Sequence, residues 1–82
     1  SVYIYPNPSN GIFTLEVFMQ EAAPLELNIS NLSNAEVFSF NDPIVTQHHV
    51  KKFDLNFLPD GIYLLSLTTA HGKTTGKLII RK

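Results

Sequence analysis

Turn-forming residues interrupt this chain at intervals of roughly 8–12 residues, and this spacing constrains the fold more than any other feature. The interruptions fall at residues 6–11, 20–24, 31–34, 41–43, 58–61 and 70–73, each of which contains at least one Pro, Gly, Asn or Asp, and the longer segment 44–55 has room for two short strands. The segments between them are rich in β-branched and aromatic residues, which is the composition of strands. No segment has the 3.6-residue apolar periodicity of an amphipathic helix. The sequence therefore predicts an all-β chain.

The pattern predicts about seven short antiparallel strands. They cover residues 2–5, 12–18, 25–30, 35–40, 44–55 (as one strand or two shorter ones), 62–68 and 74–81. Residues 20–24 are predicted as a loop, and residues 41–43 are expected to end the fourth strand. Asn10-Gly11 and Asp60-Gly61 are expected to supply the positive φ angles that tight turns require. The segment 62–68 has apolar residues at both parities, which predicts a central strand covered on both faces.

Alternation within the strands also predicts which side chains form the core. We expect the following residues to point inward: Phe13, Leu15, Val17, Leu25, Leu27, Ile29, Val37, Leu55, Tyr63, Leu65, Leu67, Leu78 and Ile80. A single sheet with so many apolar side chains on one face would leave that face in water. Two sheets must therefore pack against each other, which predicts a β-sandwich.

Length and composition favour one small domain over residues 1–82. The chain has no cysteine, and its charged fraction of 16% with a net charge of −1 gives no reason to expect nucleic acid as a partner. The longest apolar run is far below the roughly 18 residues of a membrane-spanning helix. Because the sequence begins with strand-like residues rather than Met or a basic leader, we expect it to be a segment of a longer protein.

The sequence offers no recognisable catalytic, cofactor or metal site. It lacks a Gly-x-Ser-x-Gly nucleophile motif and the two glycine-rich phosphate-binding motifs, and its acidic residues are scattered singly. His48 and His49 are adjacent, so on a strand their rings would point to opposite faces and could converge only in a loop. We interpret them as surface histidines and expect neither enzyme activity nor a cofactor.

Three stretches together resemble a known family. The first is residues 5–15, with Pro6, Asn7, Pro8 and Gly11. The second is residues 55–64, with the four motif residues Leu58, Pro59, Gly61 and Tyr63, and the third is the basic end at residues 72–82. Their order and spacing are similar to those of the type A C-terminal sorting domain of the type IX (Por) secretion system of Bacteroidetes. The resemblance covers nearly the whole chain, except that residues 43–52 match nothing in particular.

The resemblance implies a fold, a role and partners. The fold would be a seven-stranded immunoglobulin-like sandwich, and the role would be that of a secretion signal attached to an upstream cargo. The cargo would enter the periplasm and then cross the outer membrane through the translocon, for release or surface attachment. A cysteine-peptidase sortase of that system would be a second partner and would cut at or before Ser1.

We expect the signal to be a folded shape, because its motifs lie at both ends of the sequence. The hypothesis assigns recognition to the last strand and its basic end, with edge pairing as a mode of contact open to such a strand. This set is Lys77, Leu78, Ile79, Ile80, Arg81 and Lys82. The Pro, Gly and Tyr residues of the motifs are expected to build turns and core instead. Charges on an edge strand can equally serve to discourage aggregation, and weak pairing between copies through one of the edge strands is also expected.

Two other functions compete with this one. A fibronectin-like accessory module that binds carbohydrate would need a row of exposed aromatic side chains, for which Phe38, Phe40 and Phe57 are the candidates. A minor enzyme domain is disfavoured because no catalytic constellation is present.

Overall fold

The computed structural model describes residues 1–45 and 47–82, with the side chains of residues 44 and 45 left undescribed. These residues form seven antiparallel strands, as the sequence predicted. The strands are β1 (Val2–Tyr5), β2 (Ile12–Phe18), β3 (Ala23–Ser30), β4 (Glu36–Val45), β5 (His48–Asp54), β6 (Gly61–Thr69) and β7 (Gly72–Ile80). No helix in these two ranges has the length and hydropathy needed to cross a membrane.

The strands form two sheets that pack into a sandwich, which confirms the predicted fold class. The three-stranded sheet has the order β1-β2-β5, and the four-stranded sheet has the order β4-β3-β6-β7. This is an immunoglobulin-like arrangement in which the fourth strand lies beside the third rather than beside the fifth. β1 and β7 are both edge strands, one in each sheet. The loop that follows β1 can therefore contact the free side of β7.

The core lies between the two sheets, and 15 of the residues whose burial the structure describes are apolar and buried there. Twelve of the 13 residues predicted to point inward are among them, and Val37 is half-buried against the same cluster. Ala23, Phe53 and Leu58 are buried as well, although their pattern did not predict it. Phe53 is buried because its ring stacks on that of Phe13, with 5.6 Å between the ring centroids.

The fourth strand is longer than predicted. Asn41, Asp42 and Pro43 do not end it, because β4 continues to Val45. β4 is an edge strand, where a proline without an N–H can lie on the side that has no partner. A register shift between Ala23 and Leu25 accompanies this pairing, and it brings Ala23 into β3 rather than into a loop. β5 accordingly begins only at His48.

The two last strands also differ from the prediction in detail. β6 is central, but its outer face is open, since the side chains of Ile62 and Leu64 are 43% and 42% exposed. The prediction that both faces are covered is therefore wrong: Tyr63, Leu65 and Leu67 point into the core, whereas Ile62 and Leu64 lie on the open face. β7 begins at Gly72 and ends at Ile80, so Arg81 lies beyond the strand.

Candidate recognition surface

The loop of residues 6–11 connects β1 to β2 within the three-stranded sheet and on its way contacts β7 of the four-stranded sheet. It follows β1, which pairs with β2, and brings Ser9 into a parallel bridge with Ile80 of β7. The Tyr5-Pro6 and Asn7-Pro8 peptide bonds are both cis. Ser9 is 4% exposed, and the loop therefore packs tightly where it meets the last strand.

Four hydrogen bonds join this loop to the outer edge of β7. The Asn7 side chain donates from Nδ2 to the Lys77 carbonyl and accepts at Oδ1 from the Ile79 N–H, both at 2.9 Å. The Ser9 N–H donates to the Ile79 carbonyl at 2.9 Å, and the Arg81 N–H donates to the Ser9 carbonyl at 2.7 Å. The Asn7 amide thus supplies the donor and acceptor that a neighbouring strand would provide. We call the covered part, residues 77–81, the sealed edge.

Gly11 closes the loop against the turn that follows β5. Its φ angle is +108°, and a Cβ atom there would lie 2.9 Å from the Asn56 Cα. The Leu55 N–H donates to the Gly11 carbonyl at 2.8 Å. Of the two residues predicted to take positive φ here, only Gly11 does so; Asn10 instead accepts from the Ile12 N–H through Oδ1. Backbone conformation and close packing both require glycine at position 11.

The turn before β6 is held by Leu58 and Tyr63. Leu58 is buried, and its N–H donates to the Leu55 carbonyl at 3.0 Å. The Tyr63 hydroxyl donates to the Pro59 carbonyl at 2.6 Å, in the arrangement called a tyrosine corner. Gly61 does not have the predicted positive φ, and it begins β6 in an ordinary conformation. The Asp-Gly pair therefore does not form the expected left-handed turn.

Asp60 and Asn56 of this turn hold the last residue of the chain described. The Lys82 N–H donates to the Asp60 Oδ1 at 3.2 Å, and the Lys82 Nζ donates to the Asn56 carbonyl at 2.6 Å. All three sequence stretches that carried the family resemblance therefore meet at one end of the sandwich. The loop holds residues 77–81 from the side, and the turn holds Lys82 from the tip.

The six residues of the predicted recognition set lie together but differ in accessibility. Leu78 and Ile80 are 0% and 1% exposed, so their side chains belong to the core. Ile79 is half-buried, whereas Lys77, Arg81 and Lys82 are exposed. None of these three cations forms an ion pair with a carboxylate within the part of the chain described. Lys77, Arg81 and Lys82 therefore form an exposed, positively charged surface, which we call the cationic end.

A second polar and aromatic cluster, which was not predicted from the sequence, lies on the outer face of the three-stranded sheet. The Tyr5 hydroxyl donates to Glu16 Oε1 at 3.0 Å, and His48 Nε2 lies 2.6 Å from Glu16 Oε2. The Phe18 ring stacks on His48 at 4.4 Å and meets Tyr3 edge-on. Tyr3 and Tyr5 alternate with inward residues in β1, which was the available signal.

The hydrogen bonds in this cluster shift two pKa values. The contact with His48, followed by that with Tyr5, lowers the pKa of the Glu16 carboxyl. The same contact with Glu16 raises the pKa of the Tyr5 hydroxyl, because ionised tyrosine can no longer donate to the carboxylate.

The remaining histidine and phenylalanine candidates are separated from one another. His49 lies 3.7 Å from Asp42, while its neighbour His48 contacts Glu16 on the other face of the strand. Residues 1–45 and 47–82 contain no group of three or more ligand side chains placed to hold a metal. Phe38 and Phe40 are half-buried and meet Phe53 edge-on, so of the three carbohydrate-binding candidates only Phe57, at 66%, is strongly exposed.

Comparison with known proteins agrees with this geometry. A family model described as a secretion system C-terminal sorting domain matches residues 3–81, which include the loop, the turn and all but the last residue of the cationic end. No curated protein sequence matches the chain. The matched family, which is a non-catalytic targeting signal, covers nearly every residue described above. The chain therefore belongs to the C-terminal sorting domains of the Por (type IX) secretion system, which direct the export of an attached cargo protein.

Proposed function

We propose that the translocon recognises this domain in its folded form, through the cationic end formed by Lys77, Arg81 and Lys82. In this proposal residues 1–82 are the final domain of a larger secreted protein, and the cargo lies upstream. The cargo passes through the periplasm before it crosses the outer membrane. A cysteine-peptidase sortase of the same system then separates domain from cargo at or before Ser1, and the cargo is released or attached to the surface.

One observation carries this proposal. Both motif-bearing segments, 6–11 and 55–63, form hydrogen bonds to residues 77–82. The residues that form them are Asn7, Ser9 and Asp60. Lys77 and Arg81 side chains are left exposed and without a carboxylate partner in the described chain. Such an arrangement supports recognition of a fixed charged surface, since a flexible tail would need no such anchoring.

The test is a fusion of residues 1–82 to a periplasmic reporter in a bacterium with a working type IX system. We expect export of the parent fusion and retention in the periplasm when residues 75–82 are deleted. Normal export of the truncated fusion would contradict the proposal.

Charge variants separate recognition from folding. We expect Lys77→Gln combined with Arg81→Gln to lower export while leaving the melting temperature unchanged, because both side chains are exposed. Lys52→Gln, an exposed lysine on β5 in the other sheet, is the matched control and should be exported normally. Equal export of the double variant and the control would contradict recognition through the cationic end.

A further inference from the structure

The outer edge of β7 has a second part that no loop covers. In an antiparallel strand, alternate residues direct their N–H and C=O groups to opposite sides. Ile79 and Arg81 bond to the loop, away from β6, so Lys73, Thr75 and Lys77 direct their backbone groups to the same side. The Lys77 carbonyl accepts a hydrogen bond from the Asn7 side chain. The backbone groups of Lys73 and Thr75, with the Lys77 N–H, have no partner in the described residues. We call residues 73–77 the open edge.

The other edges of the sandwich are less suited to receive a strand. β1 has only four residues and is followed directly by Pro6. β4 contains Pro43 and two register shifts in its pairing with β3. On β5 the Lys51 ammonium lies 5.1 Å from the Phe40 ring centroid, so that side chain crosses toward β4. The open edge is without proline or register shift, which leaves it accessible for strand addition.

The surface beside the open edge has room and a definite charge. Lys73, Thr75 and Lys77 are exposed, and together with Leu64 and Ser66 they line a shallow depression of about 530 Å³. Gly76 adds no obstruction, because a Cβ atom there would meet nothing within 4 Å. Neither lysine forms an ion pair within the described chain. An added strand would therefore meet two unpaired positive charges.

These charges discriminate between possible occupants. If two copies of the domain paired antiparallel about Thr75, Lys73 of one copy would face Lys77 of the other. Like charges directly opposite each other destabilise a strand pair. A strand with acidic side chains at the corresponding positions would instead gain both backbone hydrogen bonds and opposite-charge pairs. Charge complementarity thus favours an acidic strand over a second copy.

We propose that the open edge, residues 73–77, pairs with an extended acidic strand of the type IX secretion machinery. This inference rests on the proposed function, in which the machinery recognises the folded domain. The pairing lies next to Arg81 and Lys82 and shares only Lys77 with the cationic end, because the sealed edge, apart from the Lys77 N–H, has already used its outward backbone groups within the domain.

Thr75→Pro in the reporter fusion tests the pairing directly. The substitution removes one outward N–H and leaves the hydrogen bonds between β7 and β6 in place. We expect export to fall by about tenfold, which corresponds to the loss of one to two backbone hydrogen bonds. Val50→Pro is the matched control, since by the same alternation Val50 directs its N–H to the free side of β5. It should be exported like the parent.

Lys73→Glu provides a second variant that keeps the backbone intact. We expect a similar fall in export, with Lys73→Arg exported normally and Lys52→Glu on β5 as the charge control. Each purified variant should melt within about 5 °C of the parent, since these positions are exposed. If Thr75→Pro fails this folding check, Lys73→Glu decides the matter.

Three outcomes would overturn the inference. Parent-level export of both Thr75→Pro and Lys73→Glu would contradict the edge pairing and leave the proposed function standing. A dimer of the purified domain that Thr75→Pro dissociates, with export unchanged, would assign the edge to a second copy. A parent fusion that is itself retained in the periplasm would contradict the proposed function, and the edge pairing with it.

Discussion

The two halves of β7 belong to one strand but are held in different ways. Residues 77–80, with Arg81 just beyond the strand, lie between β6 and the loop that contains Asn7 and Ser9 and bond to both, and the side chains of the strand residues alternate into the core. Residues 73–76 bond to β6 alone within the described chain, and all four residues are exposed. The difference teaches that the family's motifs fix the end of the strand and leave its beginning accessible. Substitutions along β7 and its loop can test this contrast.

The largest effect is expected in the sealed half, from Leu78→Ala. Leu78 is fully buried between the sheets, so the substitution removes buried apolar surface and leaves a cavity. We expect the free energy of unfolding to fall by about 2–5 kcal/mol, measured by urea denaturation. Thr74→Ala in the open half should cost less than about 1 kcal/mol. Similar losses at the two positions would break the contrast.

Glycine substitutions should sharpen the same comparison. Gly11→Ala strains a positive φ and forces a Cβ to within 2.9 Å of the Asn56 backbone, so we expect a loss of about 1–3 kcal/mol. Gly76→Ala in the open half meets no atom within 4 Å and has no positive φ. That variant should be neutral or slightly more stable in thermal melts. A stable Gly11→Ala domain would show that the loop does not need its observed conformation.

Asn7→Ala should convert part of the sealed edge into an open one. The variant loses the hydrogen bonds to the Lys77 carbonyl and the Ile79 N–H. We expect a loss of about 1–2 kcal/mol in unfolding free energy, since both contacts are near the surface. Asn7→Asp keeps the acceptor for Ile79 but not the donor for Lys77, and it should fall between Ala and the parent. Unchanged stability of Asn7→Ala would mean that the amide does not hold β7.

The smallest effect is expected on the outer face of the other sheet, which neither half of β7 touches. Contacts with His48 and Tyr5 lower the pKa of Glu16, so their stabilisation is present above the ordinary pKa of a glutamate carboxyl. It is lost as the pH falls through the lowered folded-state pKa. An NMR titration should give a Glu16 pKa below the ordinary value of a glutamate carboxyl, and this pKa should rise in His48→Ala. An unchanged value in that variant would contradict the assigned cause.

Local patterns were sufficient to predict the strands and most of the core. Leu25, Leu27 and Ile29 alternate with polar residues over a whole strand, and only one face of that strand is buried. The same rules failed at Pro43 and Gly61, where the position of an element decides the outcome. A proline ends a central strand but is tolerated on the edge strand β4, and Asp60 accepts from Lys82 while Gly61 simply begins β6.

The seal on β7 could not have been predicted from the sequence. Asn7 and Lys77 are 70 positions apart, and the asparagine bonds through its side chain rather than its backbone. Its residue type is equally suited to the turn that the neighbouring prolines predict. The family resemblance identified the motif, but only the fold places it on the edge of the last strand.

Amide hydrogen exchange along β7 measures the contrast between its two halves most directly. Exchange is slow where a hydrogen bond protects the N–H and fast where the group meets water. We predict that the amides of Ile79 and Arg81 exchange at least about tenfold more slowly than those of Lys73, Thr75 and Lys77. Equal rates at all five positions would contradict the division of the last strand into a sealed edge and an open one.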